Sequence, residues 1–202
     1  MGIAERKSRE RLEREYRIVA AARAIAEREG WDAMTIRRLA EEIEYSQPVL
    51  YSHFENRDAM VAAVAVDGFK ELAVILRKAG EETERGDALT SVAMAYVAFA
   101  LDRPALYEAM FILPTRLRFA DVETRPELRA GFEALAAAVS PFCVEVELVT
   151  ETFWAALHGL AELERSGRIR PGMRDERIAQ VVRAIMEAGS NASGRNAGHS
   201  VE

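Results

Sequence analysis

Between Thr35 and Phe54 the chain carries two helical patterns, each too short to be stable alone, separated only by Glu44-Tyr45-Ser46. The first sets Ile36, Leu39, Ala40 and Ile43 at i, i+3, i+4 and i+7, one narrow apolar face, with Thr35 placed to cap it. The second opens on Ser46 or Gln47 as a cap. Pro48 follows in a first turn that does not use its missing N–H, and Leu50 and Phe54 turn inward four residues apart. Isolated helices of this length are marginal in water, so neighbours must hold both. Gln47, Val49, Tyr51 and His53 lie off the buried stripe and are left for something outside the fold.

The flanking segments supply those neighbours. Ile18, Ala22, Ile25 and Ala26 keep helical spacing in a long first helix that Gly30 ends in a backbone conformation suited to glycine. Asn56 can cap a fourth helix, with Asp58 in its first turn, whose stripe of Val61, Val64, Gly68, Leu72 and Ile75 runs to about Gly80. The polar segment Gly80 to Asp87 reads as the internal linker. Beyond it, helices are predicted over 88–101, 103–112, 125–139, 142–165 and 174–188. Asp102 is a cap for the second of these, and Thr124 to Glu127 has the spacing of a capping box. No sustained period-two alternation occurs, and Ala, Glu, Arg and Leu dominate. The fold class is therefore all-α, with a helix-turn-helix domain over 1–60, a helical body over 61–190 and a structureless tail over 191–202.

Composition narrows the function. Half of the 202 residues are apolar, enough for a sizeable core, and the net charge is −6, so any binding of nucleic acid must come from a local patch. Such a patch exists at the start. Met1 to Arg23 holds seven basic and four acidic residues, a local charge of +3, with the basic arm over 1–17. This arm reads either as a reach toward backbone phosphate or as a solvated helix of alternating Glu–Arg pairs. The single cysteine, Cys143, forms no internal disulfide, and no signal-like start is present, which points to a cytoplasmic protein. The longest apolar run, Val92 to Leu101, is about half the roughly 20 residues a membrane span requires, so no membrane partner is expected.

No catalytic residue, cofactor motif or metal site is expected. A di-iron bundle needs Glu-x-x-His pairs from two helices, whereas the histidines here are His53, His158 and His199, and no P-loop, dinucleotide fingerprint or zinc spacing appears.

Two short helices and a tight break, set between longer helices, form a tri-helical unit in which the second short helix enters the DNA major groove. Gln47 suits the N6/N7 edge of adenine, Arg37 the O6/N7 edge of guanine, and Val49 a thymine methyl. Thr35, Tyr51, His53 and Arg57 carry donors suited to phosphate oxygens, and Ser46, Pro48 and Ser52 share the same surface.

The stretch Thr35 to Met60, with Leu50-Tyr51-Ser52-His53-Phe54 at its centre and Arg57 after it, resembles the tetracycline-repressor-like (TetR) family of bacterial transcription regulators. Two positions depart from the family pattern. Glu44 stands where the turn usually has glycine, implying either a distorted turn or a strained left-handed backbone, and Val49 replaces a threonine. Arg103 to Phe111 and Phe153 to Ile169 resemble a subgroup marked by a tryptophan, histidine, glycine signature, here Trp154, His158 and Gly159. The resemblance implies a homodimer, most often a repressor, that binds a near-palindromic double-stranded DNA operator and is released by a small-molecule effector.

In the body, Tyr96, Phe99, Tyr107, Met110, Phe111, Phe132, Phe153, Trp154 and His158 are candidates for an apolar ligand pocket, or for ordinary core. Leu157, Gly159, Leu160, Ile178, Val181, Val182 and Ile185 on the last two helices are candidates for a dimer interface, Gly159 by permitting close helix approach. The rival reading is a helical dimer that binds ligand or protein without sequence-specific DNA recognition, motivated by Glu44 and the acidic balance.

Overall fold

The computed structural model describes residues 2–83, 87–118 and 124–197, and among these the regular structure is helical throughout. Helix α1 spans Ile3–Glu29, α2 Ile36–Glu42, α3 Gln47–His53, α4 Arg57–Glu81 and α5 Ala88–Asp102. They are followed by α6 Pro104–Phe111, α7 Pro126–Val139, a 3₁₀ turn at Ser140–Phe142, α8 Val146–Arg165 and α9 Arg174–Ala197.

The early breaks follow from local chemistry. Gly30 closes α1 at φ 84, its N–H bonded to the Ala26 carbonyl at 2.8 Å. Thr35 Oγ1 accepts the Arg38 N–H at 3.1 Å and starts α2, and Asn56 Oδ1 accepts the Ala59 N–H at 2.8 Å and starts α4. Ser46 takes the N-cap place of α3 by backbone alone, without a side-chain cap bond.

Other boundaries differ from expectation. Arg125 occupies the N-cap of α7 without a side-chain cap bond, one residue after the Thr124 anticipated for that place. Nor does Asp102 cap α6: Arg103 stands at its N-cap, and the free N–H groups of Ala105 and Leu106 are taken by Glu27 of α1 instead. The 3₁₀ turn displaces the start of α8 to Val146. Helix α9 continues to Ala197, seven residues into the stretch expected to be structureless, because adding a residue to a helix is far easier than nucleating one. Residues 198–202 of that stretch, and 84–86 of the expected linker, lie outside the described residues.

The chain divides into two compact units, and the division falls within α4, between Gly68 and Phe69, not at residue 60 or in the linker. The first unit joins α1, α2, α3 and the start of α4 with α6; the second joins the remainder of α4 with α5, α7, α8 and α9. A sequence boundary misses this because α6, far along the chain, closes the first unit.

In that unit Ile18, Ala22, Ile25, Trp31, Met34, Leu39, Leu50, Met60 and Val64 are buried together with Leu106, Tyr107 and Met110. Trp31 donates its Nε1–H to the Ala105 carbonyl at 2.8 Å, satisfying the indole's polar group inside the core. An added Cβ on Gly68 would lie 2.6 Å from Met110 Sδ and 2.8 Å from Leu106 Cδ1, so glycine there permits α4 and α6 to approach. In the second unit α5 is central: Leu89, Val92, Tyr96, Val97 and Phe99 are buried, and α7, α8 and α9 pack around it.

Candidate nucleic-acid interface

Helices α2 and α3 are held onto α1 by different means. An ionic network pins α2: Arg38 reaches Glu29 at 2.9 Å and Glu42 at 2.7 Å, while Arg28 reaches Glu29 at 2.7 Å and Glu42 at 3.3 Å. The two Arg hydrogen bonds hold the Glu29 carboxyl below its usual range, Arg38 contributing most. Each pair is partly exposed and individually weak, and the shared geometry is what fixes the helix.

The turn between α2 and α3 closes with Tyr45 N–H donating to the Ala40 carbonyl at 3.0 Å, and Glu44 accepts φ 57. Of the two expectations for this position, a distorted turn or a left-handed backbone, the second is adopted, with an exposed glutamate and no glycine in the turn. Arg17 of α1 stands 5.3 Å from the centroid of the Tyr45 ring, packing the turn against the first helix.

Leu50 is fully buried and anchors α3. Gln47, Pro48 and Ser52 are exposed, as are Thr35 and Ser46; Tyr51 is 52% exposed and Val49 half-buried. An open groove of about 500 Å³ runs along this face, lined by Arg37, Ala40, Glu41, Tyr45, Ser46 and Gln47. Arg37 is ion-paired with Glu41 at 2.9 Å, yet both side chains are largely exposed, so another acceptor can replace Glu41 at low cost. Ser52 donates to the Val49 carbonyl at 2.7 Å, which leaves the oxygen's acceptor capacity outward.

Two expected phosphate donors are not presented. The His53 side chain is only 6% exposed, and its Nδ1 lies 3.3 Å from Glu15 Oε1 of α1. The Arg57 guanidinium turns inward, donating from Nε to the Met34 carbonyl at 3.1 Å and from Nη2 to the Trp31 carbonyl at 2.6 Å. Both corrections have one cause: each donor meets an acceptor within its own unit, the Glu15 carboxylate for His53 and the Trp31 and Met34 carbonyls for Arg57. Residues that spacing did not single out, Glu15, Glu27, Tyr45 and Trp31, hold the arrangement in place. Only Trp31 carried a signal, as a large aromatic beside the Gly30 stop.

The basic arm is helical and continuous with the rest of α1. Its i,i+4 pairs, Arg6 with Glu10 and Arg11 with Glu15, match the solvated reading, while Leu12 and Tyr16 stand 62% and 69% exposed.

The candidate pocket residues are divided between the two units. Tyr107, Met110 and Phe111 belong to the first unit, where the Tyr107 and Phe111 rings are 4.7 Å apart. Tyr96, Phe99, Phe132, Phe153, Trp154 and His158 belong to the second. There Trp154 donates its Nε1–H to the Tyr96 hydroxyl at 2.8 Å, a polar link between α8 and the fully buried ring of α5. Burial pushes the His158 pKa down, opposed in part by Glu162 one turn on.

Of the candidate dimer residues, Leu157, Ile178, Val182 and Ile185 are buried inside their own chain, since α8 and α9 pack on α5 and on each other. Gly159, Leu160 and Val181 remain half-buried, and a Cβ on Gly159 would meet nothing within 4 Å. The exposed apolar side chains of α8 and α9 include Leu148, Leu163 and Met186. Among the described residues there is no group of three or more His, Cys, Asp or Glu side chains able to hold a metal ion, and no helix is long and apolar enough to cross a membrane.

Comparison with known proteins gives this arrangement its context. The chain is 31% identical over 153 residues to the uncharacterized HTH-type transcriptional regulator Rv0681 of Mycobacterium tuberculosis, spanning 74% of this chain and 69% of that one. Its fold is similar to a Rhodococcus sp. RHA1 protein (TM-score 0.71, 24% identity, 86% of this chain and 93% of that one). It is also similar to BioQ, solved with its double-stranded DNA operator (TM-score 0.62, 21% identity, 85% of this chain and 97% of that one). Residues 18–64 match the bacterial regulatory proteins of the tetR family, and residues 89–189 match the tetracyclin repressor-like C-terminal domain. With the helix-turn-helix on α2 and α3 in one unit and a helical second unit, the chain belongs to the tetR family of bacterial regulatory proteins.

Proposed function

We propose that this regulator represses transcription in the cytoplasm, binding a near-palindromic operator as a homodimer and leaving it when a small apolar effector binds the second unit. The observation that carries the DNA-binding part is the polarity of α3, which buries Leu50 and exposes Gln47, Pro48, Tyr51 and Ser52 beside the Arg37 groove. Gln47, Arg37 and Val49 read base edges; Thr35, Ser46 and Tyr51 donate to backbone phosphates, and Pro48 and Ser52 pack against the sugars beside them. His53 and the Arg57 guanidinium act from inside the unit. A two-fold dimer places two α3 helices on successive turns of one DNA face, which is why the operator is near-palindromic.

The dimer face is formed by the outer sides of α8 and α9 around Gly159, Leu160, Val181, Leu148 and Leu163, because these are the apolar or small residues the chain leaves uncovered. The effector is recognised near Tyr96, Phe99, Phe132, Phe153, Trp154 and His158, where the Trp154–Tyr96 bond offers one polar handle in apolar surroundings. Trp154, His158 and Gly159 on α8 also support placing the body in the tryptophan/histidine-glycine subgroup. Catalysis has no part in this reading.

The test is selection of genomic DNA fragments with the purified protein, then affinity for the enriched fragment at two salt concentrations. An enriched near-palindrome whose binding weakens steeply with salt is the expected result. Arg37→Ala and Gln47→Ala should each cost about 1–3 kcal/mol and relax one operator position, while Tyr51→Phe weakens all sequences alike. Absence of enrichment at low salt would replace this reading with a ligand- or protein-binding helical dimer.

A further inference from the structure

We infer that Glu15 is a positioning residue for DNA recognition: from the arm half of α1 its carboxylate holds His53 and so sets how α3 presents Gln47, Val49 and Tyr51. The inference rests on the DNA-binding reading above and adds to it a residue that touches no DNA.

Helix α3 has seven residues, and Leu50 is its one fully buried side chain. With one fully buried side chain and only partial burial at Val49 and Phe54, the helix is weakly held against roll about its own axis, and because successive residues point about 100° apart, a small roll moves every base-reading side chain together. A directional contact fixes the roll more closely than these apolar contacts do. The His53–Glu15 bond is such a contact: Nδ1 lies 3.3 Å from Oε1, the imidazole side chain is only 6% exposed, and the two residues are 38 apart in sequence.

Glu15 is itself held. Its Oε1 accepts from Arg11 Nε at 3.0 Å one turn earlier on α1, so three side chains form a chain from the arm to the last turn of α3. The bond does not need a charged imidazole, because a neutral ring that carries its proton on Nδ1 is still a donor. Burial raises the carboxyl's pKa, but the bonds from Arg11 and His53 outweigh it and keep Glu15 an ionised acceptor.

The experiment compares full-length protein with Glu15→Ala, Glu15→Gln, His53→Ala, His53→Asn and the double Ala variant. It measures affinity for the enriched operator and for random duplex, with thermal unfolding as the control. Glu15→Ala should lose about tenfold in operator affinity, the usual worth of a hydrogen bond to a charged group. Its affinity for random duplex stays level or rises, since a negative charge has been removed from the DNA side. Glu15→Gln keeps an acceptor, and His53→Asn keeps a donor near the Nδ1 place; both retain most of the preference. The double variant is no worse than either single, as expected for two ends of one contact.

Operator and random affinities that fall together, or losses that add in the double variant, overturn the inference while leaving DNA binding intact. A wild-type protein that binds all duplexes alike overturns both. Should Glu15→Ala fail to fold, His53→Asn against His53→Phe makes the same comparison: equal operator preference in the two overturns the positioning role.

Discussion

The carboxylate of Glu27 on α1 accepts the Leu106 N–H at 3.0 Å with one oxygen, while its other oxygen accepts the Ala105 N–H at 3.1 Å. The first turn of α6 is thereby capped from another helix, in place of a cap from its own N-terminal side chain. Glu27→Ala should cost about 1–2 kcal/mol, the usual worth of a helix cap, and Glu27→Gln about half that. Urea unfolding followed by far-ultraviolet circular dichroism measures this; an unchanged midpoint for Glu27→Ala would mean that water replaces the carboxylate without loss.

Glu44 should be improvable. An exposed glutamate at φ 57 carries the left-handed cost that glycine avoids, and glycine's larger unfolded-state entropy offsets only part of it. Glu44→Gly is expected to stabilise the protein by about 0.5–1 kcal/mol, whereas the β-branched Glu44→Val should destabilise it by at least as much. The pair of melting temperatures, one above and one below wild type, is the check.

The comparison between glutamate and glycine at this turn also marks what was legible before the fold was known. The breaks at Gly30, Thr35, Glu44 and Asn56 were readable because caps and turns depend on residues within one turn of each other. His53 and Arg57 were misread as outward donors because their partners, Glu15 in one case and the Trp31 and Met34 carbonyls in the other, lie far away in sequence. Periodicity assigns a residue to a helix face; it does not say which acceptor waits opposite that face. The placement of α6 with the first unit was hidden for the same reason, since Glu27, Trp31 and Gly68 meet it only after an intervening helix.

Glycines in two helices should respond oppositely to alanine. At Gly68 the new methyl meets Met110 and Leu106 side chains inside van der Waals distance, and overpacking of this kind outweighs the gain in helix propensity by about 1 kcal/mol. At Gly131 in α7 nothing lies within 4 Å, so Gly131→Ala should stabilise by up to about 1 kcal/mol. Denaturant midpoints of the two variants decide it, and the same sign for both would contradict the packing described at Gly68.

His158 gives stability a defined pH dependence. Burial lowers its pKa below the ordinary histidine value of 6.5, so the unfolded chain binds a proton more readily than the folded one as pH falls past that value. Stability is then fully present above about pH 6.5 and declines as pH falls from there through the lowered folded-state value. His158→Gln should flatten that part of the profile. Melting temperatures of both proteins between pH 7.5 and roughly 5 measure it, and identical slopes would assign the acid sensitivity to other groups.

Because α6 completes the core around Trp31 and Gly68, the order of synthesis matters to the first unit. The residues of α1, α2 and α3 leave the ribosome well before the chain that will cover them, and α5, which belongs to the other unit, is made in between. Until α6 emerges, the Trp31 indole lacks its carbonyl partner and the face of α4 at Gly68 lacks the Leu106 and Met110 side chains that cover it, so the nascent head lacks part of its core. A ribosome stalled after α4 should therefore hold a head that is open to protease and to chaperones, and one stalled after α6 a head that is closed.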